Sequence, residues 1–318
     1  MVQVDLITGF LGAGKTTFLR KYVHWLNARG QRVCILENDF GAVNVDVMLL
    51  QDLLGDNCDI ETISGGCDCD THQRRMRTKL ISLAMQGFDR VLVEPSGIFD
   101  VDDFYDVRGE EPLDRWYTLG NVIAIVDALL ETQLSPQGEY LLASEAASAG
   151  MVLMSRCQLA APGQAEATLA HLNRALEACH CARRFAADTD ALCKPWDALT
   201  DADMQRLDSC GHCQASYVKL HFDEHKAFTS LYFMELHLTL PQLQDAARAL
   251  FADPACGHIL RIKGFLQTVD GWCELNATRD TMHVEPIPDG QEVLIIIGEE
   301  LDRSAIEAHI GQKTADQE

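Results

Sequence analysis

Three short stretches of the chain carry residues whose types and spacing suit chemistry. In LITGFLGAGKTTFL the pattern G-x-x-x-x-G-K-T runs from Gly9 to Thr16. Glycines let successive backbone N–H groups turn inward around phosphate oxygens, and a following helix adds the partial positive charge of its N-terminus. Gly9, Gly12, Ala13 and Gly14 are therefore expected to cradle a nucleotide. Lys15 is expected to reach the β- and γ-phosphates, and Thr16 and Thr17 to handle phosphate and Mg²⁺. In VLVEPSG, Glu94 ends an apolar run and Gly97 follows three residues later. An acid in that place can hold the Mg²⁺ shell or orient a water, and the glycine lets backbone approach the γ-phosphate. Lys15, Glu94 and Gly97 are the expected catalytic set. In ISGGCDCDTH, Cys67 and Cys69 stand two apart, each followed by an aspartate, with His72 close behind. That donor set suits a metal, but a redox pair or an acidic turn carrying thiols has the same letters.

These residues need a frame that gathers strand ends. An apolar run precedes the glycine loop and an amphipathic pattern follows it, the strand–loop–helix context that a P-loop requires. RVCILEND (32–39), FDRVLVEPSG (88–97), NVIAIVDA (121–128) and GMVLMSRC (150–157) read as further buried strands. Helical spacing fills about 71–87 and 163–180. The alternation predicts an α/β fold, a doubly wound and mostly parallel sheet of the P-loop NTPase type, with its ligand at the carboxyl ends of the strands.

Composition narrows the function classes. The chain has 318 residues, 47% hydrophobic and 23% charged, as expected for a globular protein. Its 48 acidic residues against 26 basic ones give a net charge of −22. Such a surface repels phosphate backbones, so no nucleic-acid partner is expected. No apolar run approaches the roughly 18 residues of a membrane span, and no basic leader precedes the first strand, so a cytoplasmic protein without a membrane partner is expected. Twelve cysteines are many for a reducing compartment, where disulfides are disfavoured. Cys34 and Cys157, inside apolar runs, read as small buried hydrophobes.

GFLGAGKTT, ENDFGAVNVD, SGGCDCD, EPSG and VIAIVDA, in that order, resemble the CobW-type P-loop GTPases, relatives of the nickel-insertion GTPases of hydrogenase and urease maturation. HILRIKGFL with VLIIIGEELD is similar to that family's smaller C-terminal domain, so the resemblance runs over roughly residues 2–310. It implies GTP and Mg²⁺ as ligands, and Zn²⁺ or Co²⁺ supplied to a metal-requiring client or a cobalamin-related pathway, with a homodimer as one assembly. It also implies that Glu37 approaches the cysteine motif, so Glu37, Cys67, Cys69 and Asp70 are the expected metal ligands. Three departures accompany it. Asp70 replaces the third cysteine of C-x-C-C, a harder oxygen donor in place of a thiolate. Ala42 replaces a glutamate. Ser155, Arg156 and Gln158 occupy the guanine-reading N-K-x-D positions. There Gln158 presents one acceptor where aspartate presents two, and Arg156 can still cover a base plane.

The second half is read as a linker at 206–215 and an α+β domain at 216–318, after a P-loop domain at 1–205. YVKLHFD (217–223) and FMELHLTL (233–240) alternate as strands carrying His221 and His237, and 241–253 as a helix. HILRIKGFL, WCELNATR, MHVEPIP and VLIIIG read as strands, and DRSAIEAHI as a closing helix. CGHC at 210–213 lacks the strand-then-helix setting of a redox pair, which leaves a metal-binding linker or incidental thiols. The expected function is a GTP-hydrolysing metallochaperone-like protein. The alternatives are a nucleotide-gated activator of a partner enzyme that carries no metal, and an ATP-dependent activator.

Overall fold

The computed structural model describes residues 1–39, 49–64, 69–95, 97, 101–220, 227–234 and 236–311, with backbone alone at 38–39, 64, 69–70 and 102–103. The chain forms two compact units, Met1–His221 and Phe222–Glu318.

The first unit is built on a seven-stranded sheet. Its strands are β1 (Val2–Thr8), β2 (Val33–Asp39), β3 (Cys58–Ser64), β4 (Arg90–Glu94), β5 (Tyr117–Asp127), β6 (Met151–Ser155) and β7 (Ala191–Leu192). They lie in the order β3-β2-β4-β1-β5-β6-β7, and every neighbouring pair is parallel. Strands covered on both faces must be apolar nearly throughout, which explains why all five residues of β4 and of β6 are buried. β1 is the turning point: its connection leads out to β2 on one side, and β4 returns across it to β5 on the other. The crevice at the carboxyl ends beside β1 is where such sheets bind ligands.

Helix α1 (Lys15–Asn27) presents Phe18, Leu19, Tyr22, Val23 and Leu26 to the sheet. They pack with Ile7, Ile35, Leu92 and Ile123 into one core. Helix α2 (Cys69–Ala84) begins where the sequence places the cysteine motif. The short helices α3 (Asp102–Gly109) and α4 (Leu113–Trp116) precede β5. Helix α5 (Pro136–Ala147) is buried on nearly all sides and is capped by Ser135, whose hydroxyl accepts from Gly138 N at 3.0 Å. Helix α6 (Gln164–Ala178) matches the expected helical stretch.

At the amino ends of the strands lies a buried polar network. Arg90, 5% exposed, donates to Asp5 Oδ2 at 2.9 Å and to Tyr22 Oη at 2.7 Å, and pairs with Asp208 at the end of α7 (Asp201–Asp208). Asn121 donates through its backbone to Asp5 Oδ1 (2.7 Å) and through Nδ2 to Asp208 O (2.9 Å). The stretch read as a linker, 206–215, is anchored on this unit. Gly211 N donates to Asn121 Oδ1 at 2.9 Å, Val122 N to Gly211 O at 2.9 Å and Cys213 N to Ser148 O at 3.0 Å.

The second unit holds a five-stranded antiparallel sheet, order β11-β10-β9-β12-β8, from β8 (Thr229–Met234), β9 (His258–Thr268), β10 (Gly271–Ala277), β11 (Met282–Ile287) and β12 (Val293–Glu299). α8 (Leu240–Ala252) contributes Leu243, Ala247 and Leu250, and α9 (Arg303–Ile310) contributes Ile306 and Ile310, to a core shared with Ile262, Leu275 and Ile296. Among the described residues this stretch holds one strand, Thr229–Met234, which overlaps the expected 233–240 only at its start. Residues 217–220 form no regular structure and His221 lies outside the described residues. His237, with φ +41°, sits in the left-handed region beyond the end of β8, so the alternation that suggested a strand there is not used.

Candidate functional site

The glycine loop leaves β1 hard against β5. A Cβ on Gly9, at φ +142°, would lie 2.2 Å from Ile125 O, so only glycine fits. The loop is held from below by α5: Gly9 N donates to Glu145 Oε2 at 2.9 Å and Thr8 Oγ1 to Glu145 O at 2.6 Å. Gly12 (φ +72°) and Gly14 (φ +99°) also take left-handed backbone, and Gly14 is the N-cap of α1. Ala13 is buried. Lys15 is 8% exposed, and its ammonium donates to Gly9 O at 2.7 Å, which holds it over the loop. Thr16 Oγ1 donates to Glu94 Oε1 at 3.0 Å. Thr17 is exposed on the next position of the helix.

Gly97 closes over the same loop. A Cβ there would lie 2.8 Å from both Gly9 O and Lys15 Nζ and 2.9 Å from Leu11 N. The expected phosphate-handling residues Gly9, Lys15, Thr16, Glu94 and Gly97 are thus brought together. Glu37 joins them from the neighbouring strand: its register partners are Glu94 on β4 and Thr62 on β3. Both carboxylates are buried, at 3% and 5% exposure. Cys67 and Ala42 lie outside the described residues. Cys69 and Asp70 open α2, with their side chains outside the description. His72, one turn on, is buried at 1% exposure.

The positions expected to read the base sit at and just past the end of β6. Ser155 is buried, and its Oγ has no hydrogen-bond partner among the described residues. Such a group is costly until a ligand satisfies it. Arg156 takes φ +53° and forms an ion pair with Asp127 at the end of β5. Gln158 is exposed. Cys157 is half-buried, not the fully buried hydrophobe expected, because it lies in the loop just past β6. Burial, then the neighbouring Cys193, push its thiol up to about 11.

Three contributors were not among the expected site residues. Trp196 lies between the two loops: a Cβ on Gly14 would stand 3.2 Å from its ring and 3.8 Å from Ser155 Cβ. Its indole N–H donates to Met154 O at 2.9 Å. Glu145 and Asp127 brace the two loops as described. None carries a local signal, although Asp127 ends the VIAIVD run. CGHC is a strap on the first unit. Burial, with Asp5 next, drives the Cys210 thiol up to about 12, which removes the thiolate that redox exchange needs. His212 Nδ1 lies 3.1 Å from Gly120 O.

Residues 3–185 match the CobW/HypB/UreG nucleotide-binding domain. The chain belongs to that family. Residues 235–313 match the cobalamin synthesis protein cobW C-terminal domain, so both units of this CobW-family chain have a counterpart. Among curated relatives, the zinc chaperone YjiA of Escherichia coli is 34% identical over 178 residues, 52% of each chain. The zinc chaperone CobW of Pseudomonas aeruginosa is 32% identical over 136 residues, 40% of this chain and 36% of that protein. The chain spans about half the length of the curated relatives it matches, or less. Of solved structures, Zn(II)-bound YjiA GTPase from E. coli is 22% identical, covering 98% of this chain and 99% of that one, with a TM-score of 0.37. No helix among the described residues is long and apolar enough to cross a membrane.

Proposed function

We propose that this CobW-family chain binds and hydrolyses GTP and uses the nucleotide state to hold or hand over Zn²⁺ or Co²⁺ for a metal-requiring client. The observation that carries the reading is the register of Glu37 with Glu94. Glu94 touches the P-loop threonine, and Glu37 stands between it and β3, the strand that leads into the Cys67–Cys69–Asp70 segment. A γ-phosphate bound beside Thr16 and Gly97 would act on the first carboxylate, and the second lies one strand away. The proposal keeps Glu37, Cys67, Cys69 and Asp70 as the ligands of the transferred metal.

For phosphoryl transfer, Lys15 supplies positive charge against the β- and γ-phosphates, and the loop amides around Gly12 to Gly14 orient them. The Thr16 hydroxyl and Glu94 carboxylate are oxygen donors of the kind a hard divalent cation takes, so these residues would hold Mg²⁺, which neutralises phosphate charge. Gly97, whose backbone lies close to Gly9 O and Leu11 N, brings its segment beside the loop that would hold the γ-phosphate. The unsatisfied Ser155 hydroxyl and Arg156, held by Asp127, are the groups proposed to meet the base at the end of β6. We propose guanine as that base, read less strictly than by an intact N-K-x-D because Gln158 is exposed.

A chelator competition for Zn²⁺ tests the coupling, in GDP and in a non-hydrolysable GTP analogue, on wild type, Glu37→Gln and Cys67→Ser/Cys69→Ser. Wild type should differ between nucleotides, and metal should shift nucleotide affinity by the same factor. Equal zinc affinity in both states sinks the coupling. Wild-type affinity in the double cysteine variant moves the cargo site elsewhere.

A further inference from the structure

The second unit carries a mixed sulfur, nitrogen and oxygen cluster that the proposed nucleotide-linked site does not use. Asp253, Cys256 and His309 place one ligand atom each within 4.8 Å of one another. Asp253 ends α8 and caps the 3₁₀ turn Pro254–Cys256, its Oδ1 accepting from Ala255 N at 2.9 Å. Its other oxygen, Oδ2, lies 2.8 Å from His309 Nε2 in the last turn of α9. Cys256 is fully buried beneath them, while Asp253 and His309 are half-buried and face outward. The two pieces of chain are tied together. Cys256 N donates to Asp253 O at 3.1 Å, Asp302 N donates to Cys256 O at 3.2 Å, and Asp302 caps α9 through Ala305 N at 2.9 Å.

We propose that Asp253, Cys256 and His309 form a second transition-metal site, for Zn²⁺ or Co²⁺, independent of the cargo site in the first unit. Thiolate with imidazole selects borderline metals over Mg²⁺ or Ca²⁺, and a single carboxylate completes a three-ligand set. One metal ion can reach all three ligand atoms, since none lies more than 4.8 Å from another. Metal bonds of about 2.0–2.3 Å put ligand atoms about 3.3–3.6 Å apart, so the Asp253–His309 contact need open by only about half an ångström. Three protein ligands leave a fourth position facing solvent, the arrangement of an exchangeable or reactive metal and not of a closed structural one. The tied turns hold the ligands in place before metal arrives.

The test is a Co²⁺ titration of the full chain under anaerobic conditions in the Cys67→Ser/Cys69→Ser background. One Co²⁺ should still bind with a thiolate-to-cobalt absorption band and the intensity of four-coordinate cobalt. Adding His309→Gln or Asp253→Asn should each weaken that binding at least about tenfold, since even partners that only orient a ligand cost that much. Both side chains are partly exposed, and Asn keeps the cap oxygen of Asp253, so near-ultraviolet circular dichroism should confirm folding. Cys256→Ser should abolish the band. A band and affinity unchanged by His309→Gln and Asp253→Asn in folded protein overturn the proposal, whatever other cysteines then bind. Failure here leaves the cargo reading standing, because both thiolates of that site are already absent from the background and its own test uses wild-type cysteines.

Discussion

Gly97→Ala isolates one contact. The backbone of Gly97 lies outside the left-handed region, so alanine brings no conformational penalty and only the added methyl is tested. That methyl would stand 2.8 Å from Gly9 O, 2.8 Å from Lys15 Nζ and 2.9 Å from Leu11 N. The lysine end can swing away. The carbonyl and amide belong to a loop held by Glu145 and packed closely beside Ile125, and they cannot yield cheaply. Forcing a methyl into such a place costs roughly 1–3 kcal/mol. If the strain falls on the arrangement needed for hydrolysis, kcat should drop roughly five- to 150-fold. The urea midpoint should stay near wild type, since the contact is with a loop and not with the core between sheet and α1. Steady-state GTP turnover and unfolding curves measured together give the answer. Turnover within a factor of two of wild type, at equal GTP affinity, would refute the view that Gly97 must close on the loop.

Lys15→Ala should lower turnover at least about 100-fold in the same assay, through loss of phosphate charge stabilisation. Arg90→Met leaves Asp5 and Asp208 without their shared cation in a buried place, and urea unfolding should show a loss of about 3–5 kcal/mol. Combining it with Asp5→Asn should recover part of that loss, because residues of one network couple. Asp203 caps α7 with Thr200 and accepts from Lys194 at 2.6 Å. The Lys194 hydrogen bond, opposed by burial and aided by Thr200, holds its carboxyl down from 3.8 to about 2. A lowered pKa stabilises fully above the unfolded value and fades as pH falls towards the folded one. Asp203→Asn should therefore cost stability above about pH 4 and converge with wild type near pH 2, as read from urea midpoints against pH. Parallel curves would exclude this carboxylate as the source.

The parallel sheet was legible because strands buried on both faces must be continuous apolar runs: β2, β4, β5 and β6 stand within a few residues of the expected stretches. β3 was missed, since CDIETIS alternates weakly and shows no such run. Helix α5 was missed for the opposite reason. Buried from Tyr140 to Ala147, it has no polar stripe to set a helical period. Glu145 went unnoticed with it, and with it the group that anchors Gly9. The glycine loop with Lys15 and Thr16 stood out in the sequence because its residues follow one another along the chain. Trp196 meets Gly14 across 182 positions of sequence, and no local pattern encodes such a meeting. The left-handed turn at His237 shows that alternation is only a precondition for a strand, which also needs a neighbour to pair with.

The Arg90 network also decides where the polypeptide can be cut. A nucleotide-binding fragment ended at residue 205, where the βα rhythm of the sequence fades, would lose Asp208 and Gly211. Arg90 would keep one carboxylate, Tyr22 would lose its 2.7 Å acceptor, and Val122 N would lose the carbonyl that satisfies it. These groups sit under the sheet, where water cannot replace the missing partners cheaply. A fragment carried on to residue 220 keeps all of them. For anyone wishing to crystallise or label the first unit alone, those fifteen residues are a sealing strip that the domain needs to remain whole.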